Sequence, residues 1–456
     1  MSRVFRIFLI ATLLLTSLPV TAALAQSTGP IASDAYLCEK QYGGVYGSTE
    51  DLSNYCLWSP AFPAGVKGDL VIFAHGYVDP ATPDGTIPWG QLSIGGSLLP
   101  TIIVNQLHAA FAITSYSQNG LAVTEGVTAV EKLAKKLQAD YNHIFLVGAS
   151  EGGLVTALEI EQNPGHLFSG GVTTCGPIGD FTKQVNYWGN FRVSFDYFFR
   201  SLGQTLGNPM TVPADTISKW GTYDPTTTPP SFMIPNSLQN AIWNAVYANP
   251  SATQQLLSVT KAPVDANNPL TVGATVLSIL DYNIKATNQA KVELKGSPYD
   301  NRTRLYFGSS NDFLLNWWIH TNEQFKADSA ALISMQTKFQ TSGRISAPLV
   351  ALHTTGDPIV PYWHELLYLL KVWQAGKGSS FFTIPVARYG HCNFTAAEAM
   401  FAYVVMVWKA TGTLPILPMS ATATTDYPLT QQEFNNLLHE YNLSSGQPVF
   451  MPMITK

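Results

Sequence analysis

The stretch Tyr141 to Leu154, YNHIFLVGASEGGL, limits what this chain can fold into more than any other part of it. Ile144 to Val147 form an uninterrupted apolar run, the pattern of a strand covered on both faces. Gly148-Ala149-Ser150-Glu151-Gly152 follows at once, and Leu154, Val155, Ala157, Leu158 and Ile160 then recur at helical spacing. A chain that passes from strand to helix across one residue must turn sharply there. The glycines two before and two after Ser150 let neighbouring backbone come close enough for that turn, and Gly153 extends the small-residue patch. Such a turn strains the serine and leaves its side chain exposed at the carboxyl edge of a sheet.

On either side the chain alternates strand and helix, the rhythm of a parallel sheet with crossovers on its faces. Asp69 to Ala74 (DLVIFA) predicts a strand ending at His75-Gly76-Tyr77, and Pro80 to Gly96 a surface loop. Leu98 to His108 and Glu125 to Leu137 predict helices with a strand near Phe111 to Ser115 between them, Thr124 being placed to cap the second. Ser169 to Thr174 is the next strand. The rhythm then stops: residues 181–330 read as helical segments broken by turn clusters and rich in aromatics such as Trp188, Phe191 and Phe195. An insertion of that length after a sheet strand is expected to form a mainly helical cap over the carboxyl edge. The sheet resumes at Ala347 to His353, which leads to Gly356-Asp357, and a helix is expected over Tyr362 to Trp373. Phe381 to Val386 is a further strand that delivers His391 in the loop YGHCNF, and Ala396 to Thr411 is a strongly apolar helix. The resulting division is a signal peptide at 1–25, an irregular N-terminal strap at 26–64, a core at 65–180 and 331–412, the cap at 181–330 and a tail at 413–456.

Arg3 and Arg6 flank the start of an apolar run that continues to Ala23-Leu24-Ala25, the order of a secretory signal, so a secreted or periplasmic mature chain is expected to begin near Gln26. No later apolar stretch is long enough to span a bilayer, and no stable membrane insertion is expected. The four cysteines, Cys38, Cys56, Cys175 and Cys392, allow three pairings. Proximity in sequence favours Cys38 with Cys56, which leaves Cys175 with Cys392; four buried free thiols are the alternative. Charged residues make up 12% of the 456 positions, against roughly 25% in an average soluble protein. Net charge is -5 without any block of like charge, so neither a nucleic-acid footprint nor a polybasic membrane segment is indicated.

Chemistry follows from what an exposed serine needs. It is a poor nucleophile until a base takes its proton, and the base needs a carboxylate to fix its tautomer and stabilise the imidazolium. Asp357 and His391 each follow a strand and fall at the same sheet edge as Ser150. The other histidines fit less well: His75 belongs to the loop after the first core strand, His353 lies inside a strand, His364 and His439 are on helices, and His108, His143, His166 and His320 lack a strand-end setting. Asp312, after the strand-like RLYFGSS, is the rival acid. The backbone N–H groups of Tyr77 and Glu151 are the candidate oxyanion donors. No H-E-x-x-H, P-loop or strand-following G-x-G-x-x-G occurs, and no metal or cofactor is implied.

The segments HGY, GASEGG, TTGDP and GHCNF, in that order and at those strand ends, resemble the α/β-hydrolase superfamily, in particular exported bacterial esterases and related serine peptidases. The resemblance covers residues 65 to 180 and 340 to 412. It implies an α/β-hydrolase fold with a mostly parallel central sheet and a large, mainly helical cap. It also implies a serine hydrolase with Ser150, His391 and Asp357 as its triad, acting on a small-molecule or polymeric ester. His391-Cys392 is also similar to the tannase and feruloyl esterase group, where a disulfide joins the residue before the nucleophile to the one after the histidine; Ala149 stands at the first of those places here. An exported aminopeptidase-like serine peptidase is the alternative enzyme, since Glu151 beside the nucleophile could receive a substrate amine. A catalytically silent hydrolase scaffold used for binding is the alternative outside enzymes.

Overall fold

A computed structural model of the chain describes residues 33–51, 53–206, 223–224, 231–232, 237–413, 436–437 and 439. The expected signal peptide and most of the tail lie outside the described residues. Eight strands form the central sheet: β1 (Val45–Ser48), β2 (Asn54–Trp58), β3 (Leu70–Ala74), β4 (Ala110–Thr114), β5 (Ile144–Ala149), β6 (Gly170–Thr174), β7 (Leu349–Gly356) and β8 (Phe381–Tyr389). Their spatial order is β1-β2-β4-β3-β5-β6-β7-β8. β2 runs antiparallel to both of its neighbours, and every other pairing in this sheet is parallel.

The segment read as an irregular strap therefore supplies the first two strands of the sheet. Both are short: Tyr55 to Trp58 of β2 pairs with Phe111 to Thr114, far away in the chain, β1 pairs back on β2 as a hairpin, and a Cys38–Cys56 disulfide ties the turn before β1 to β2.

Alternation along the strands fills two cores. Leu70, Ile72, Leu146, Leu349 and Ala351 face one side of the sheet. There they meet α2 (Val123–Leu137), α3 (Glu151–Gln162) and α11 (Trp363–Gln374). Val71, Phe73, Phe145, Val350 and Leu352 face the other, against α1 (Leu99–Gln106) and α12 (Ala396–Thr411). Burial on both faces is why these strands read as continuous apolar runs. The α12 helix opens with a capping box in which Thr395 and Glu398 bond each other's backbone. At α2 the expectation fails. The helix begins at Val123, Ala122 is its cap residue, and Thr124 sits within the first turn. The helix start has no side-chain cap, and the Ala122 N–H donates to the Glu151 carboxyl group, 3.0 Å away.

Between β6 and β7 lie α4 (Phe181–Phe198), α5 (Arg200–Leu206), α6 (Ser237–Ala248), α7 (Pro250–Thr260), α8 (Leu270–Glu293), α9 (Asp312–Asn322) and α10 (Ser329–Lys338). Phe191, Phe195, Ile242, Val246, Leu256 and Leu280 join here in a third core, which also takes in Ile359 and Val360 from the loop after β7. Arg192 is fully buried in this layer, where its Nε–H donates to both carboxylate oxygens of Asp196 at 2.9 Å.

Gly152 is where α3 touches the end of β3. A Cβ there would lie 2.0 Å from the Ala74 carbonyl oxygen and 2.5 Å from that of His75. Gly152→Ala is expected to push helix from strand and to lower unfolding free energy by about 1–3 kcal/mol in a denaturant titration. Gly90→Ala, where a Cβ meets nothing within 4 Å, should stay within about 0.5 kcal/mol of the wild type.

Candidate active site

Ser150 stands between β5 and α3 with φ 55° and ψ -119°, a left-handed conformation that strains a residue bearing a Cβ. Its surroundings leave little choice. The Ser150 N–H donates to Thr174 O on β6 (2.9 Å), and its carbonyl accepts from Gly153 N (2.9 Å). A Cβ on Gly148 would lie 2.0 Å from the Gly152 oxygen, so the strand and the helix approach at their backbones.

From the serine a relay runs across three strand ends. Ser150 Oγ lies 2.9 Å from His391 Nε2, and His391 Nδ1 lies 2.7 Å from Asp357 Oδ2. With its Nδ1 hydrogen donated to the carboxylate, the imidazole presents Nε2 as an acceptor to the serine hydroxyl. Asp357 is fully buried, and its other oxygen accepts the amides of Ile359 (2.9 Å) and Val360 (3.0 Å). Burial alone would raise its pKa. The His391 charge and hydrogen bonds from His353 and His391 outweigh burial and bring it down to about 2. The rival acid, Asp312, is elsewhere: half-buried at the start of α9, it accepts from Gly308 N and from Ser309 N and Oγ. The residues before it form no strand.

His353, set aside from the sequence as a strand histidine, belongs to this site's support. Its Nδ1 lies 2.9 Å from Glu365 Oε1 and its Nε2 2.8 Å from Val360 O, with Asp357 Oδ2 at 3.5 Å. Both ring nitrogens face acceptors, so both must carry hydrogens and the ring is an imidazolium. Burial opposes that charge, but hydrogen bonds to and charges on Asp357 and Glu365 prevail and raise the pKa to about 10. The neighbouring His364 is the reverse case. Its Nδ1 accepts from Gly179 N (3.0 Å) and Nε2 donates to Gln184 Oε1 (2.7 Å), and burial holds its pKa well below the usual imidazole range.

Opposite His391, the loop after β3 packs on the serine: a Cβ on Gly76 would meet Ala149 O at 3.1 Å and Ser150 Cβ at 3.2 Å. Gln91, in a 3-10 turn within the expected surface loop, accepts from Gly76 N (2.7 Å) and donates to Tyr77 O (3.1 Å). This clamp fixes the Gly76-Tyr77 peptides, and no sequence signal marks it because Gln91 lies fifteen residues from Gly76 in the chain. Glu151 opens α3, so its N–H is one of the helix's unpaired first-turn donors. Its side chain is buried. Burial pushes the carboxyl up to about 8 despite the hydrogen bond from Ala122 N, with Glu125 adding to the rise.

The serine opens into a narrow pocket with about 40 Å³ of free volume, walled by Leu121, Phe181, Val185, Trp188, Tyr282 and Ala286. Tyr282 of α8 is the roof, its ring centroid 5.6 Å from Trp188, 6.2 Å from Tyr77 and 6.5 Å from His391. A Cys175–Cys392 disulfide joins the residue after β6 to the residue after His391. Among the described residues, Cys175, His391 and Cys392 are the cluster with metal-ligand spacing, and its two sulfurs are bonded to each other.

The strand order, with β2 alone reversed against its neighbours, and the serine turn after β5 are those of the α/β-hydrolase fold. No family model and no curated protein matches the sequence. Solved structures do. An acylaminoacyl peptidase from Pyrococcus horikoshii is 11% identical over 84% of this chain and 43% of its own, with a TM-score of 0.37. Feruloyl esterase B from Aspergillus oryzae is 14% identical over 82% and 81%, at 0.38, and Candida antarctica lipase A 15% identical over 87% and 84%, at 0.39. This chain thus spans less than half the length of the peptidase. Likeness at this level says nothing of activity, and the fold stands on the strand order and the turn at Ser150.

A histidine whose pKa is raised to about 10 by folding stabilises the native state fully below its ordinary value of 6.5, and that contribution is lost as pH climbs from there toward 10. Thermal midpoints followed over this range should fall more steeply in the wild type than in His353→Gln. Equal slopes would mean that His353 is neutral in the fold.

Proposed function

We propose that this protein is a secreted serine hydrolase that cleaves carboxylic esters through an acyl-enzyme. The observation that carries the reading is the unbroken contact from Ser150 Oγ through His391 to Asp357 at the base of an apolar pocket. In this mechanism His391 Nε2 takes the hydroxyl proton as Oγ attacks the ester carbonyl. The amides of Tyr77 and Glu151 receive the developing oxyanion, and His391 returns the proton to the departing alcohol. Asp357, kept ionised, holds the imidazole in the required tautomer. Water repeats the sequence on the acyl-enzyme. Residues 181–330 act as a cap that shapes the acyl site, and the chain is exported by its signal peptide, which is removed near Ala25.

Ester chemistry is favoured over peptide chemistry by the pocket. An aminopeptidase-like enzyme needs an ionic anchor for the substrate's amine, and the carboxyl next to the nucleophile is buried, bonded to Ala122 N and, through burial, harder to ionise than an ordinary carboxyl. The small free volume favours short acyl groups.

Release of p-nitrophenol from esters of increasing acyl length tests this reading. Turnover should be fastest on short chains. Ser150→Ala and His391→Ala should lower kcat by roughly 10⁴–10⁶-fold, and Asp357→Asn by about 10⁴-fold. Cleavage of aminoacyl anilides in place of esters would make the protein a peptidase, and silence on both would leave a binding scaffold.

A further inference from the structure

On the far side of α4 from the acyl pocket lies a second, larger cavity of about 520 Å³. Lys183, Tyr187, Asn190, Lys261, Arg304 and Trp363 contribute to its wall. Its cations come from three separate segments, so no basic run in the sequence reveals them. Its acidic neighbours are engaged: Asp300 is bonded by Arg302 through both oxygens, and Asp180 caps α4 by accepting from Lys183 N while lying 4.0 Å from the Lys183 ammonium. Among the described residues no carboxylate pairs with Lys261 or Arg304. A cavity with surplus positive charge, in a chain whose net charge is -5, suits an anionic group.

The segment that carries Arg304 also presents an exposed apolar face. Tyr306 points inward, 2% exposed and bonded to Asn190, while Leu305 (56% exposed) and Phe307 (62%) point out. Phe313 (83% exposed), Leu314 and Trp317 continue this face on the first turns of α9. These side chains are held on a firm support. Asn316 exchanges hydrogen bonds with the Tyr306 backbone, Asp312 ties back to Gly308 and Ser309, and Ser310 is anchored to Gln255 on α7. Five large apolar side chains exposed within residues 305–317, on segments tied together by these bonds, are more than the single exposures normal on a soluble protein.

We infer that this face adsorbs to an anionic lipid surface, with Phe307, Phe313 and Trp317 entering the acyl boundary and an acidic headgroup taken up beside Lys261 and Arg304. Aromatic side chains flanked by cations are the combination that holds proteins at such interfaces. A second copy of the chain is a poorer occupant, because an isologous pairing would bring the same cations face to face. Adsorption needs no spanning segment, and no described helix is long and apolar enough to cross a membrane.

Flotation of the mature protein with phosphatidylcholine vesicles, alone or with one third phosphatidylglycerol, tests the inference without reading turnover, so it stands or falls separately from the esterase reading. Ser150→Ala should float like the wild type. The wild type should rise with the anionic vesicles and scarcely with the neutral ones. Lys261→Gln with Arg304→Gln should weaken anionic binding about 25-fold, at about five-fold per charge. Phe313→Ser with Trp317→Ser should abolish binding to both. Unchanged circular dichroism and thermal midpoint would show these variants to be folded. The inference is overturned if the wild type floats with neither vesicle, or if both double variants float as it does. It is also overturned if light scattering shows the wild type dimeric and the Phe313/Trp317 variant monomeric, which would make the patch a contact between copies.

Discussion

Ser150 holds a backbone conformation that costs a non-glycine residue on the order of 1–3 kcal/mol, and the elements around it are arranged so that it has no cheaper one. Its amide is fixed to β6, α3 begins at the next residue, and glycines 148 and 152 let strand, helix and the end of β3 meet backbone to backbone. The strain is therefore borne by the packing of three parallel strands and a buried helix, not by the turn itself. What the conformation achieves is directional. The side chain leaves the sheet edge where His391 can reach it, and the first free amide of α3 lies beside it.

A chain of fixed charges and covalent links then sets the partner groups. Asp357 would be driven toward neutrality by its burial, but two amides, the His391 ring and the imidazolium of His353 hold it ionised. His353 is in turn kept charged by Glu365 on α11, so the helix that covers one face of the sheet also determines the charge state at its edge. The Cys175–Cys392 bond adds a tether of another kind. Cys175 donates its amide to Leu352 on β7, and Thr174 just before it accepts the Ser150 amide; the end of β6 and the residue after it thereby fix Ser150, β7 and the His391 loop relative to each other.

Ser150, Asp357 and His391 can be read from the sequence because each follows an apolar strand that announces itself locally, and strand ends in a parallel sheet share an edge. β1 and β2 cannot be read that way: β2 takes its place in the sheet by pairing with Phe111 to Thr114, far away in the chain, β1 is only the hairpin partner of β2, and four or five residues of ordinary composition carry no period of their own. The same limit explains Thr124, which lies inside a helix that begins a residue earlier, where Ala122 N–H meets the carboxyl of Glu151 on α3, and Gln91, whose task depends on a backbone far from it in the chain. His353 is instructive for a different reason. Its position inside a strand is a correct reading, yet a buried strand histidine with acceptors on both nitrogens is a charged group, and acceptors are a tertiary fact.

The helical layer between β6 and β7 is joined to the chemistry by more than proximity. Ile359 and Val360, whose amides hold Asp357, place their side chains in the core of that layer, and Tyr187 and Trp188 of α4 donate to the carbonyls of Pro358 and Ile359. Tyr282 reaches from the same layer to the ring of His391. A layer built only to cover a pocket could lift away from it; this one shares its core and its hydrogen bonds with the acid loop. Large displacement of α4 or α8 would loosen Asp357 and, through it, the tautomer of His391. The narrowness of the pocket beside Ser150 and the fixed position of Asp357 follow from the same packing.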